Sequence, residues 1–302
     1  MRAPVVHHPA YVTPLPATHR FPIPKFAHLL AHLRRTGLLL PAQEFVPEPA
    51  PRAWLELAHD SLYVTAVLEQ RLDAAAIWRL GLPLSPVLAL RSRCAVAGTV
   101  LTARLALEHG VACNTAGGSH HAFAGFGAGF CVFNDVAVAA RVLAAEGLIR
   151  RAVVIDLDVH QGDGTAAILA GDASVFTLSV HCRANFPARK QQSDLDVALD
   201  PGTGDADYLD LLANLLPAVL DQVRPDLVFY NAGVDPHVDD RLGRLALSDA
   251  GLAERERYLL ALCRGRGLPL ACVVGGGYAD DLDVLARRHA LLHEAIQALP
   301  DW

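Results

Sequence analysis

From Gly110 onward the chain alternates short, unbroken apolar runs with longer stretches of helical periodicity, a pattern that restricts it to βαβ units around a buried parallel sheet. The strand runs are Ala152 to Asp156, Val175 to Val180, Leu227 to Asn231 and Leu270 to Val274, each flanked by Gly, Pro or Asp. The spacing predicts helices between and after them, over Asp135 to Ala145, Asp205 to Gln222, Ser248 to Arg264 and Asp281 to Leu299. Asn134, Asp205 and Ser248 stand where N-caps are needed. The expected class is therefore α/β, a parallel sheet flanked by helices. In such a sheet ligands bind outside the carboxyl ends of the strands, so the polar residues that follow each apolar run are the ones to inspect.

Upstream of Gly110 the texture differs. Ten of the 19 prolines fall within the first 51 residues, and residues so rich in fixed φ and missing N–H donors are expected to wrap the domain irregularly rather than form central strands. Helices are predicted over Trp54 to Arg79 and Arg91 to His109, the second stopped by Gly110. No flexible linker or repeat interrupts the 302 residues, so one domain over 1–302 is expected.

Composition narrows the function classes. With 52% apolar and 19% charged residues the chain can bury a large core, and its net charge of −6 argues against a basic face for direct nucleic-acid binding. Apolar stretches are broken before the ~18 residues that a membrane span requires. The opening MRAPVVHHPAY lacks a signal-peptide core, so a cytoplasmic location is expected. The six cysteines are scattered without a C-x-x-C pair, as expected of reduced thiols.

Four segments carry chemistry, three of them directly after predicted strands and one after the short apolar stretch Val111 to Cys113. Asp156, Asp158 and His160, in DLDVHQGDG, recur at period two and would share one side of an extended chain. Asp235, in NAGVD, follows another strand; alone it reads as turn chemistry before Pro236. With Asp158 and His160 it makes a set of two carboxylates and one imidazole, which suits catalytic zinc with an open position and also admits Fe(II) or Mn(II). His120 and His121, in GGSHHA, are imidazoles suited to acid–base work, with Asp156 and Asp163 available to orient them. Tyr278, after Gly275, Gly276 and Gly277, could aim a phenol into the same crevice.

GGSHHA, DLDVHQGDG, NAGVD and GGGY, in this order and spacing, resemble the zinc-dependent histone deacetylases of the arginase/deacetylase superfamily. The resemblance runs from about His59 to the C-terminus, with HPAY and HRFPIPKF echoing the family's opening. Gln161 and the segments HCRANFPARK and DDRLGRLALS are most similar to class IV and bacterial relatives. The resemblance implies an arginase/deacetylase-like fold with Asp158, His160 and Asp235 as zinc ligands. It implies catalytic roles for His120, His121 and Tyr278, with Asp156 pairing His120 and Asp163 pairing His121. Phe130, Gly129 and Gly276 would line an acyl-lysine tunnel, and Asp156, Asp158, His160, Ser179 and Val180 would hold a structural potassium ion.

The activity implied is removal of acetyl, or long-chain fatty acyl, groups from lysine side chains of proteins. Three other readings stand beside it. An acylated polyamine or other small amide is an alternative substrate, and a non-catalytic acyl-lysine binder would carry the same fold. An arginase-like binuclear manganese site would need a second bridging carboxylate, and its position is occupied by Gly233, with His237, Asp239 and Asp240 close by. The small-residue run Ala122 to Gly129 reads either as room for an alkyl chain or as a glycine loop. His109, His181, His289 and His293 are assigned no role.

Overall fold

A computed structural model describes residues 3–16 and 18–299. In chain order the elements are β1 (Val5–Val6), α1 (Lys25–Arg35), β2 (Glu44–Phe45), α2 (Arg52–Leu55), α3 (Ser61–Leu68), α4 (Ala74–Leu80), α5 (Pro86–His109) and β3 (Val111–Asn114). There follow α6 (Asp135–Ala145), β4 (Ala152–Asp156), α7 (Asp163–Leu169), β5 (Val175–Cys182), β6 (Leu195–Leu199) and α8 (Asp205–Val223). The chain closes with β7 (Leu227–Asn231), α9 (Asp249–Gly265), β8 (Leu270–Val273) and α10 (Leu282–Ala298).

All eight strands form one parallel sheet in the order β2-β1-β3-β8-β7-β4-β5-β6. The central strands are buried on both faces, which is why they read as continuous apolar runs rather than alternating ones. Val153, Ile155, Val228 and Tyr230 pack into one core with residues of α1, α8, α9 and α10. Val154 and Phe229 face a second core with residues of α5 and α6. Because β3, β8, β7 and β4 are neighbours running the same way, the loops leaving Asn114, Val273, Asn231 and Asp156 emerge side by side at one edge.

The predicted strands and later helices lie within about two residues of their expected bounds. The predicted helix over Trp54 to Arg79 is instead three short helices. Asp73 accepts the Ala76 N–H and starts α4, and Gln70 just before it takes a left-handed φ of 60°, which a continuous helix does not allow. The helix expected from Arg91 begins earlier, at Pro86, because Ser85 accepts the Leu88 N–H and proline is tolerated in the first turn.

The proline-rich lead is not wholly irregular, contrary to expectation. It contributes α1, β2 and β1, and β1 lies between β2 and β3. Two residues free of proline suffice for that strand, and Pro4 joins the ladder through its carbonyl, which accepts the Cys113 N–H. All six cysteines are free and buried. Among the described residues no helix is long and apolar enough to cross a membrane.

Candidate metal centre and its pocket

The loop after β4 turns at once, so Asp156, Asp158 and His160 do not continue as an extended strand. Asp158 and His160 meet Asp235, from the loop after β7, instead. The His160 Nδ1 lies 3.0 Å from Asp158 Oδ1 and 3.1 Å from Asp235 Oδ2, and ligand atoms from all three residues fall within 4.8 Å of one another. Among the described residues this is the one group of three so arranged.

All three side chains are buried, and their protonation is correspondingly perturbed. Burial, then the neighbouring Asp158 charge, pushes the Asp235 carboxyl up to about 7. Burial alone would lower the His160 imidazole, but Asp158 and Asp235 raise it to about 10. Two carboxylates forced together in low dielectric call for a cation, and one nitrogen with two oxygen donors is a set that a divalent metal accepts. Asp158, His160 and Asp235 therefore fit a metal ion.

Asp156 is not part of that group: its Oδ1 accepts the Asp158 N–H at 3.1 Å and its Oδ2 accepts from His120 Nδ1 at 2.7 Å. Asp163, in the first turn of α7, accepts from His121 Nδ1 at 2.6 Å. The two imidazoles lie side by side, tilted 50° to each other with centroids 4.1 Å apart, and their environments differ in sign. For His120 burial is outweighed by Asp156 and Asp158, which raise it to about 9. For His121 burial, reinforced by the His120 charge, lowers it to about 4. One ring is thus held charged and its neighbour neutral.

Tyr278, in the loop after β8, is buried, and its ring centroid lies 6.2 Å from that of His160. Burial, then the Asp235 and Asp158 charges, holds its phenol well above the usual range, so it remains a proton donor. Gly276 is required where it stands: a Cβ there would lie 1.9 Å from Asp235 Oδ2, and its own N–H donates to Asp158 Oδ2 at 2.7 Å. Gly129 has a φ of +54°, and a Cβ there would meet the His121 ring at 2.6 Å.

A cavity of about 490 Å³ opens from these groups to the surface, with His121, His160 and Tyr278 among its lining residues. Phe130 and Phe186 form aromatic walls. Of the run Ala122 to Gly129, only Ala128 and Gly129 reach the cavity; Phe123 and Phe126 stack on each other, centroids 4.5 Å apart. Ser179, on β5, pairs across the ladder with Asp156, and Val180 follows it, so the five residues expected to bind potassium adjoin one strand pair. His237 and Asp239 point elsewhere, to Asp249 and Arg288, and Asp240 accepts the Tyr278 N–H at 2.7 Å. The carboxylates a second bridging metal would need are thus otherwise engaged.

A family model described as the histone deacetylase domain matches residues 19–295. The chain belongs to the histone deacetylase family. An uncharacterized protein of Picosynechococcus sp. is 55% identical over 295 residues, covering 98% of each chain. Histone deacetylase 3 of Oryza sativa subsp. japonica is 33% identical across 83% of this chain, and histone deacetylase 2 of Arabidopsis thaliana is 34% identical across 64%. The chain spans about half the length of these two plant relatives, 52% and 53%. Among solved structures, the HDA15 HD domain superimposes with a TM-score of 0.82 at 22% identity, covering 98% of this chain and 91% of that one, a likeness of fold.

Sequence reasoning missed several residues that set the geometry of this histone deacetylase family member. Asp135, at the start of α6, accepts the Gly118 and Ser119 N–H groups and so shapes the loop that carries both histidines. Asn231 donates to Asp156 Oδ1 at 2.9 Å. Lys25, buried in α1, donates to the Gly275 carbonyl at 2.9 Å beneath the Tyr278 loop. Arg255, fully buried in α9 against Glu256, donates to the Gly233 carbonyl at 2.8 Å. A lone lysine in the apolar segment PIPKF was the one local signal available; the other three look like ordinary helix or strand residues until the fold brings them together.

Proposed function

We propose that this protein is a zinc-dependent amidohydrolase that removes acyl groups from lysine side chains. The observation that carries the reading is the convergence of three groups on one cavity: the Asp158, His160 and Asp235 set, the His120 and His121 pair with their carboxylates, and the Tyr278 phenol. The resemblance to class IV and bacterial relatives extends the substrate range to fatty acyl chains as well as acetyl, and a potassium ion beside Asp156 and Ser179 belongs to the same reading.

Zinc held by Asp158, His160 and Asp235 would supply Lewis acidity toward the acyl carbonyl and make water acidic enough to attack near neutral pH. His121, kept neutral by burial and oriented by Asp163, accepts the proton of the attacking water and returns it to the leaving lysine amine. His120, paired with the Asp156 carboxylate, sets the local field for that transfer. Tyr278 donates its O–H to the oxygen on which negative charge develops. Phe130 and Phe186 confine the alkyl stem of the lysine and exclude water from it.

The test is hydrolysis of lysine peptides carrying acetyl, octanoyl and myristoyl groups, alongside N-acetylated polyamines, by zinc-loaded protein and by Tyr278→Phe. Turnover of the peptides with a loss of roughly 10²-fold or more in kcat for the variant is expected. Turnover of polyamines alone would remove the lysine substrate from the reading, and an unchanged kcat would remove Tyr278 from the mechanism.

A further inference from the structure

The mouth of the cavity has a charge opposite to that of the whole chain. Although the protein carries a net charge of −6, the cavity that reaches His121 and Tyr278 is lined at its exposed rim by Arg20, Arg79 and Arg244. Among the described residues no aspartate or glutamate lines this cavity. None of the three guanidinium groups forms an ion pair with a carboxylate of the described residues; Arg79 instead lies over the Phe126 ring, 4.7 Å from its centroid. Nearby Arg241, by contrast, is engaged by Asp280. Trp78 stands 86% exposed on the same rim, a large aromatic surface left uncovered beside the charges.

The three arginines come from separate places in the chain: the lead, α4 and the loop before α9. Unpaired guanidinium groups are donors suited to carboxylates, and a cluster of one sign around an opening concentrates ligands of the opposite sign. We propose that the rim selects acyl-lysines flanked by acidic residues in a peptide or protein, and disfavours polycationic substrates such as acetylpolyamines and lysine-rich tails. The proposal rests on the deacylase reading and specifies its substrate.

The experiment uses zinc-loaded protein and peptides that share one acetyl-lysine and differ only in its flanking residues, glutamate, glutamine or lysine, with N-acetylspermidine as a fourth probe. Both kcat/KM and binding by fluorescence anisotropy are read at low and high salt. At low salt the glutamate peptide is expected to exceed the glutamine peptide by about eightfold, roughly twofold for each of three exposed ion pairs, and the lysine peptide by more, and the glutamate-to-lysine ratio should shrink at high salt. In the triple variant R20Q/R79Q/R244Q the ratio should approach one, and R20K/R79K/R244K should restore it. A ratio of one or below in the unaltered protein, a ratio that survives the glutamine variant, or preference for N-acetylspermidine overturns the proposal. Absence of turnover on every probe sinks the deacylase reading instead, and the anisotropy ratio then still decides whether the rim selects acidic flanks.

Discussion

Replacing Gly276 by alanine tests whether the loop after β8 must press against the metal centre. The added carbon would sit 1.9 Å from Asp235 Oδ2 and 2.7 Å from Asp158 Oδ2. Non-bonded heavy atoms settle near 3.5 Å, so the Asp235 carboxylate or the loop must retreat by roughly 1.5 Å. A retreat of the loop stretches the 2.7 Å hydrogen bond from the Gly276 N–H to Asp158 and displaces Tyr278 two residues on. A misplacement of ~1 Å in a catalytic constellation costs ~10²-fold, so kcat/KM should fall by about that factor or more. Metal content, measured by mass spectrometry after gel filtration, should fall with it. Gly265, at the end of α9, is the control, because nothing lies within 4 Å of a Cβ there. Gly265→Ala should keep metal and activity, and circular dichroism on both variants separates a local effect from unfolding. A folded Gly276→Ala protein with full metal content and unaltered kcat/KM would refute the steric argument.

Further outcomes follow from the same geometry. His121→Ala should abolish turnover while His120→Ala retains a measurable part of it; the reverse order in steady-state kinetics would exchange their roles. Removal of metal by a chelator should abolish activity and lower the melting temperature, with zinc restoring both, because a ligand at 1,000 times its Kd stabilises by about 4 kcal/mol. His59 is buried, Phe123 O lies 2.9 Å from its Nδ1, and its Nε2 accepts the Asn134 N–H, so the ring is held neutral; burial lowers its pKa to about 4. The unfolded chain therefore binds more protons between the ordinary imidazole value of 6.5 and about 4. Stability should be complete above that window and fall as pH drops through it, by up to ~1.4 kcal/mol per pH unit for this group. Urea unfolding at a series of pH values reads the slope, which should be shallower in His59→Gln.

Much of the site was legible because its residues follow strands. Asp156, Asp158, His160, Asp235, His120, His121 and Tyr278 each stand within a few residues of an apolar run, and a parallel sheet aligns all such ends. Period two alone does not place Asp156, Asp158 and His160 correctly. The chain turns after Asp156, so that carboxylate pairs with His120 and only the next two join Asp235. The strands Val5–Val6, Glu44–Phe45 and Leu195–Leu199 escaped notice because two of them are two residues long and the third, half exposed, is an edge strand without a continuous apolar run.

The sequence by itself determined the α/β class, the central strands and the residue types able to bind a metal and move protons, since these depend on local periodicity and on side-chain chemistry. Tertiary structure alone decided the rest. It set the strand order that puts β8 and β7 between β3 and β4, the opposite perturbation of two adjacent histidines, and the supports from Asp135, Asn231, Lys25 and Arg255. It also gathered Arg20, Arg79 and Arg244 around one opening. The physical reason is distance along the chain: strand pairing, burial and electric field depend on which remote segments share a space, and no window of neighbouring residues contains that information.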